Sequence, residues 1–189
     1  MKIPKRTGEI FELLSKGGFI CSNSAQEHIR QLYDIIDADG NYELLYDYFL
    51  AIHFVLEKGN EYYHFSRQEQ RADIERKIES AFKWIDWLDF FKAFDPAFGV
   101  GYSFTASEIL VRLQVDAGLK NKLEALRKNK EDSMPVTVER LIKSLVDDGF
   151  AELENEILKS YKVLASFDYL ENLIRSIHIP EAVQNEIPE

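Results

Sequence analysis

The stretch FVLEKGNEYYHFS, residues 54–66, decides how the rest of the chain is read. Two β-prone runs flank Lys58-Gly59-Asn60-Glu61, and a Gly-Asn pair takes positive φ at little cost, which is the pattern of a tight hairpin. Upstream, a helix is expected from Thr7, its N-cap, to Ser15, with Ile10, Leu13 and Leu14 on one face and Gly17-Gly18 stopping it. Phe19-Ile20-Cys21 reads as a short strand. Ser24-Ala25-Gln26-Glu27 has the form of a capping box, opening a helix with Ile29, Leu32, Tyr33 and Ile36 at helical spacing. Asp37-Ala38-Asp39-Gly40 breaks the chain. A third helix, Asn41 to about His53, is expected to bury Leu44, Leu45, Tyr48, Phe49 and Ile52.

Helix, short strand, helix, turn, helix, hairpin is the order of a winged-helix domain, with residues 54–66 as its wing. A second box, Ser66-Arg67-Gln68-Glu69, opens a long helix to about Phe91. Its positions Ile74, Ile78, Ala81, Ile85 and Leu88 form a short heptad-like seam. Trp84, Trp87, Phe90, Phe91 and Phe94 widen that seam into an apolar band, which suits a helix sandwiched between domains or one that gives half its face to a dimer. DPAFGVGYS (95–103) reads as a linker. The order then recurs. Thr105-Ala106-Ser107-Glu108 caps a helix with Ile109, Leu110 and Leu113, and a second helix spans about Gly118 to Lys128. Pro135 begins a third, with Val138, Leu141, Ile142, Leu145 and Val146. Residues 150–165 form a hairpin around Asn155-Glu156, and Ser166 caps a last helix with Tyr169, Leu170, Leu173, Ile174 and Ile177.

The expected fold is therefore mainly α with small β-hairpins (α+β), as two tandem winged-helix domains joined by a long helix and linker. Residues 1–66 make the N-terminal domain, 67–103 the connecting helix and linker, 104–179 the C-terminal domain with its terminal helix, and 180–189 a flexible tail.

At 189 residues, 46% hydrophobic and 13% aromatic, the chain has the composition of a folded protein. No apolar run approaches the roughly 20 residues that cross a bilayer, so no membrane contact is expected. The N-terminus lacks the apolar core of a secretory signal, and a single cysteine, Cys21, fits a reducing compartment. The expected location is cytoplasmic. His28, His53, His64 and His178 show no metal spacing, and Asp37/Asp39 and Asp147/Asp148 flank turn glycines. Asp37-Ala-Asp-Gly-Asn-Tyr-Glu is too short for a calcium loop, and Gly99-Val100-Gly101 lacks the third glycine of a nucleotide fingerprint. Cys21 reads as a buried core residue. Neither a catalytic residue nor a cofactor is expected, and the chain is read as not an enzyme.

The net charge of −10 repels nucleic acid on average. A winged helix that reads DNA presents cations or amides on its third helix, whereas NYELLYDYFLAIH offers Glu43 and Asp47 and no Lys or Arg. Tyr42, Tyr46 and Tyr62 suit a protein surface instead. In the C-terminal half, Lys120, Lys122, Arg127, Lys128 and Lys130, with Arg140 and Lys143 on the third helix, read either as a solvated face or as a phosphate-contacting patch.

These stretches, IFELLSKGGFICS (10–22), LIKSLVDDGFAELENE (141–156) and SFDYLENLI (166–174), together with the acidic first recognition helix, resemble the MukE/MksE-like subunits of bacterial condensins. These are kite proteins, and the related Wadjet defence subunit is similar. The resemblance implies a non-catalytic adaptor that dimerises and binds a kleisin, and through it an SMC-type ATPase, in chromosome organisation and segregation or plasmid defence. It implies a nucleoid-associated homodimer whose DNA contact is weak or made only within the complex. It also implies a partner or dimer surface including Tyr42, Tyr46, Tyr62, Trp84, Trp87, Phe90 and Phe94. The alternative is a winged-helix transcription regulator or a replication-initiator-like protein, using the basic residues above.

Overall fold

A computed structural model describes residues 3–66, 71–129 and 131–176, apart from the side chains of 71–81. Among the described residues the chain is mixed α/β, with eight helices and two small antiparallel sheets. The first half runs α1 (Thr7–Ser15), β1 (Ile20–Cys21), α2 (Glu27–Asp37), α3 (Asn41–Leu50), β2 (Val55–Lys58) and β3 (Tyr62–Ser66). The second runs α4 (Arg71–Phe94), β4 (Ser103–Thr105), α5 (Ala106–Val115), α6 (Ala117–Ala125), α7 (Met134–Asp147), β5 (Ala151–Asn155), β6 (Ser160–Val163) and α8 (Phe167–Ser176). With α4 set against α1, the order helix–strand–helix–helix–hairpin recurs, with α6 inserted and α8 appended. In each sheet the central strand is the return strand of the hairpin: β1-β3-β2 in one and β4-β6-β5 in the other. The strand β4 was not expected from the sequence; it pairs with β6 through Phe104↔Tyr161.

The first core is closed by Ile10, Leu14, Ile29, Leu32, Ile36, Leu45, Phe49, Leu56 and Tyr63. The second is built around Trp84, Trp87, Phe90 and Phe91 of α4, so the aromatic band of that helix faces inward, onto Phe98, Phe104, Leu141, Leu145 and Phe167. The 95–103 stretch is likewise packed: Phe98 is fully buried and stacks on Phe91 at 4.6 Å, and the Gly101 N–H donates to Val163 O at 2.9 Å.

Several local expectations need correction. The residue preceding α1 is Arg6 in a left-handed conformation, and the Thr7 hydroxyl donates to Pro4 O at 2.7 Å. α3 ends at Leu50, short of His53, so Ile52 lies beyond it and is exposed, and within the helix Tyr48 faces away from the buried Leu45 and Phe49 and is exposed too. In the first hairpin the positive φ falls on Glu61, at 61°; Gly59 is needed because a Cβ there would lie 2.0 Å from the Tyr62 ring. The Thr105–Glu108 box forms as read. The Ser66 box and Ile74, Ile78 and Ala81 lie outside the described residues or side chains.

The Ser24 box is replaced by a contact of longer range. Helix α2 starts at Glu27 without a side-chain cap from Gln26. Instead the Glu152 carboxylate, from β5, accepts from the Ser24 hydroxyl at 2.8 Å and from the Ala25 N–H. Beside it, Asn23 donates to Val163 O at 3.2 Å and accepts from the Ala165 N–H at 2.9 Å. Cys21, Tyr62, Leu164 and Ala165 complete this seam with a small apolar cluster. A carboxylate at a helix N-terminus gains from the dipole and satisfies donors that the helix cannot. Glu152→Ala would leave these buried donors unpaired. The expected loss is about 2–4 kcal/mol of unfolding free energy, seen as a lowered urea midpoint, with Glu152→Gln losing less.

Candidate partner-binding surfaces

Two surfaces follow from this arrangement. The first is the outer side of α3 and the turn after it. Leu45 and Phe49 point inward and fix the helix, while Glu43, Asp47, Tyr48, Leu50 and Ile52 stay exposed. The apolar members, Tyr48, Leu50 and Ile52, are 43%, 45% and 43% exposed, which is unusual for side chains of their size so close together. His53 closes the turn with φ 65°, and its neighbour Phe54 donates its N–H to Phe49 O at 3.0 Å.

The second surface is a cleft of about 830 Å³ where the two halves meet. Its walls are α1 (Glu9, Glu12, Lys16) and the end of α7 (Asp147, Asp148), and its floor is aromatic. Phe19 is the centre of that floor, with ring centroids of Phe150 and Tyr169 at 5.8 and 5.5 Å. Gly149 makes the corner, with φ +76° and space for no side chain: a Cβ would lie 3.2 Å from the Phe19 ring.

The residues expected at a partner or dimer surface are divided differently. Trp84, Trp87 and Phe90 are at most 5% exposed and belong to the chain's own core. Trp84 packs edge-on to Phe150 at 5.3 Å. Tyr62 is 4% exposed in the seam between the halves, where burial pushes its phenol up to about 12. These four offer no open surface in this fold. Phe94 is half-buried. Tyr42 and Tyr46 are half-buried, and the Tyr42 hydroxyl donates to Leu56 O at 3.0 Å, tying α3 to the hairpin. The exposed apolar residues near them, Tyr48, Leu50 and Ile52, escape the sequence reading because helical periodicity, carried past Leu50, assigns Tyr48 and Ile52 to the core.

The basic residues differ in what holds them. Lys122 pairs with Asp89 of α4, Arg140 donates to Leu126 O, and Lys143 pairs with Asp147 one turn on. Arg127 is half-buried, Lys120 and Lys128 are exposed, and Lys130 lies outside the described residues. Lys58, the cation of the first hairpin, is held at 2.8 Å by Asp37, whose carboxylate also accepts from Tyr63 OH at 2.7 Å. At the tip of the second hairpin Asn155 Oδ1 accepts from the Ile157 and Leu158 N–H groups, those two side chains are 92% and 69% exposed, and Lys159 beside them is exposed as well.

Among the described residues no three or more His, Cys, Asp or Glu are grouped to hold a metal ion, and no helix is long and apolar enough to cross a membrane. Cys21 is 1% exposed, and burial raises its thiol pKa.

A family model for condensin complex protein MksE matches residues 5–174. The chain belongs to the MksE family. It is thus a condensin complex subunit, as the sequence resemblance implies, and the match spans both halves and the seam between them. No curated protein matches the sequence.

The Asp37 contacts give a pH dependence. Hydrogen bonds from Lys58 and then Tyr63 hold the Asp37 carboxyl below its ordinary 3.8. The stability this contributes is fully present above 3.8 and is lost as pH falls through the lower folded-state value. Asp37→Asn should flatten that part of the stability profile, measured by urea unfolding between about pH 2 and pH 5, with little change in slope at neutral pH.

Proposed function

We propose that this MksE-family protein is a non-catalytic adaptor of an SMC-type condensin, binding a kleisin and dimerising through its N-terminal half. In this reading each half is a winged helix, with α3 and α7 as the third helices and β2–β3 and β5–β6 as the wings; α4 is both connector and first helix of the second unit. The observation that carries it is the outer side of α3. A helix in the position of a DNA reader has Glu43 and Asp47 where a duplex needs cations, and exposes Tyr48, Leu50 and Ile52, which gain by contact with protein. We assign the dimer or partner contact to this face, with Tyr42 and Tyr46 beneath it, in place of the Trp84–Phe90 band. The location is the nucleoid, and the biological role is chromosome organisation or plasmid defence.

The alternative, a DNA-binding regulator, rests on Lys120 and Lys128, since Lys122, Arg140 and Lys143 already have partners. Two exposed lysines support only weak, sequence-independent contact.

Three experiments test the reading. Gentle purification of the tagged protein from its native cell should bring down a kleisin and a long coiled-coil ATPase; recovery with DNA and neither subunit would contradict it. Leu50→Arg with Ile52→Asp should shift the isolated protein from dimer to monomer in analytical ultracentrifugation without lowering its melting temperature. Lys120→Glu with Lys128→Glu should leave that dimer and kleisin recovery unchanged; under the regulator reading the same pair abolishes duplex binding.

A further inference from the structure

The cleft between the halves carries more structure than the adaptor reading uses. Its carboxylates, Glu9, Glu12, Asp147 and Asp148, outnumber its one lysine, Lys16. Glu12 with Lys16 and Asp147 with Lys143 make single exposed pairs, which are weak and exchange readily, while Glu9 is held by Arg6 through two hydrogen bonds. Asp148 differs. Among the described residues it makes no ion pair; it accepts a hydrogen bond from the Trp84 side chain and feels Lys83 at longer range. Burial raises its pKa, so it is a carboxylate that an arriving cation would stabilise. Beneath these groups lies the Phe19–Tyr169 floor, two aromatic rings tilted 54° to each other, apolar faces beside negative charge.

That combination repels phosphate and selects a planar cation on an apolar stem. Guanidinium stacks on aromatic faces and bonds carboxylates through a rigid fork, whereas ammonium does the second only as a point charge. We infer that the cleft receives an extended segment of a partner chain carrying arginine between apolar residues, its guanidinium lying on the Phe19–Tyr169 face and reaching Asp148. The inference rests on the adaptor reading for the partner's being a protein chain, and the argument from charge complementarity is independent of α3.

The test uses the full chain and a fluorescein-labelled peptide alternating leucine and arginine, beside the same peptide with citrulline, which keeps the shape and removes the charge. Fluorescence anisotropy should show the arginine peptide binding about tenfold tighter or more, with the preference falling as salt rises and lost in Asp148→Asn. A second variant, Glu12→Gln with Asp147→Asn, should weaken binding while sparing the Trp84 contact, and the melting temperature of each variant reports whether it folds. Equal affinity for the two peptides, or a preference that survives in folded forms of both variants, would overturn the inference. Kleisin recovery with the wild-type chain separates the two proposals. A kleisin that co-purifies while the peptides bind equally removes the cleft inference alone, and a kleisin absent from the wild-type preparation removes the adaptor reading and this inference with it.

Discussion

The Glu152 carboxylate stands on β5 of the second half and ends at the N-terminus of α2 in the first, 128 residues from the Ser24 hydroxyl it accepts from. The cleft between the halves depends on that seam. A buried carboxylate is costly unless it is bonded, and here the hydroxyl of Ser24 and the N–H of Ala25 bond it. The carboxylate thus fixes the residues leading into α2, whose N-cap Gln26 makes no side-chain cap. Asn23, bonded to Val163 and Ala165, repeats the link through backbone groups. One polar contact thus fixes the approach to a helix in one half and stabilises a buried carboxylate in the other, and both halves lose if they separate.

With the halves joined in this way, the end of α7 faces α1 across the cleft, and α3 remains outside it. The chain's aromatic residues follow the same division. Trp84, Trp87, Phe90 and Phe91 of α4 are spent on the second core, where Phe91, Phe98 and Phe104 pack together, and Tyr62 is spent on the seam. What remains for solvent in the first half is the short run at the end of α3. The charge of the third helix, anionic in its exposed positions, and the internal partners of Lys122, Arg140 and Lys143 argue in the same direction. The proposed role as a protein-binding condensin subunit needs no side chain that the fold has already used.

Much of this was legible in the sequence, for reasons that are local. The capping box at Thr105, the hydrophobic spacing of α2 and α7, and the breaks at Gly17 and Gly40 are satisfied within a few residues, so pattern and structure agree. The errors are non-local. In Ala151-Glu152-Leu153 the alternation should send Leu153 inward and Glu152 outward; the structure does the reverse, with Glu152 7% and Leu153 41% exposed, because the first half supplies the carboxylate's donors. The α4 aromatics could be read as buried or as dimer-forming, since a helix apolar nearly all round does not say which chain covers it. Ser24 has the spacing of a cap to Glu27, but its hydroxyl accepts from the Gln26 N–H and donates to Glu152 instead. The cleft is invisible in the sequence because its two acidic walls come from opposite ends of the chain.

Hydrogen–deuterium exchange of the isolated protein and of the assembled complex, followed peptide by peptide, bears most directly on the claim that this chain works through protein contacts. Assembly should protect the end of α3, residues 48–53, and the cleft segments 17–19 and 147–150, while the exposed part of α6 around Lys120 exchanges as before. Protection confined to 117–130, appearing on addition of duplex DNA and absent when the other subunits are added, would contradict it.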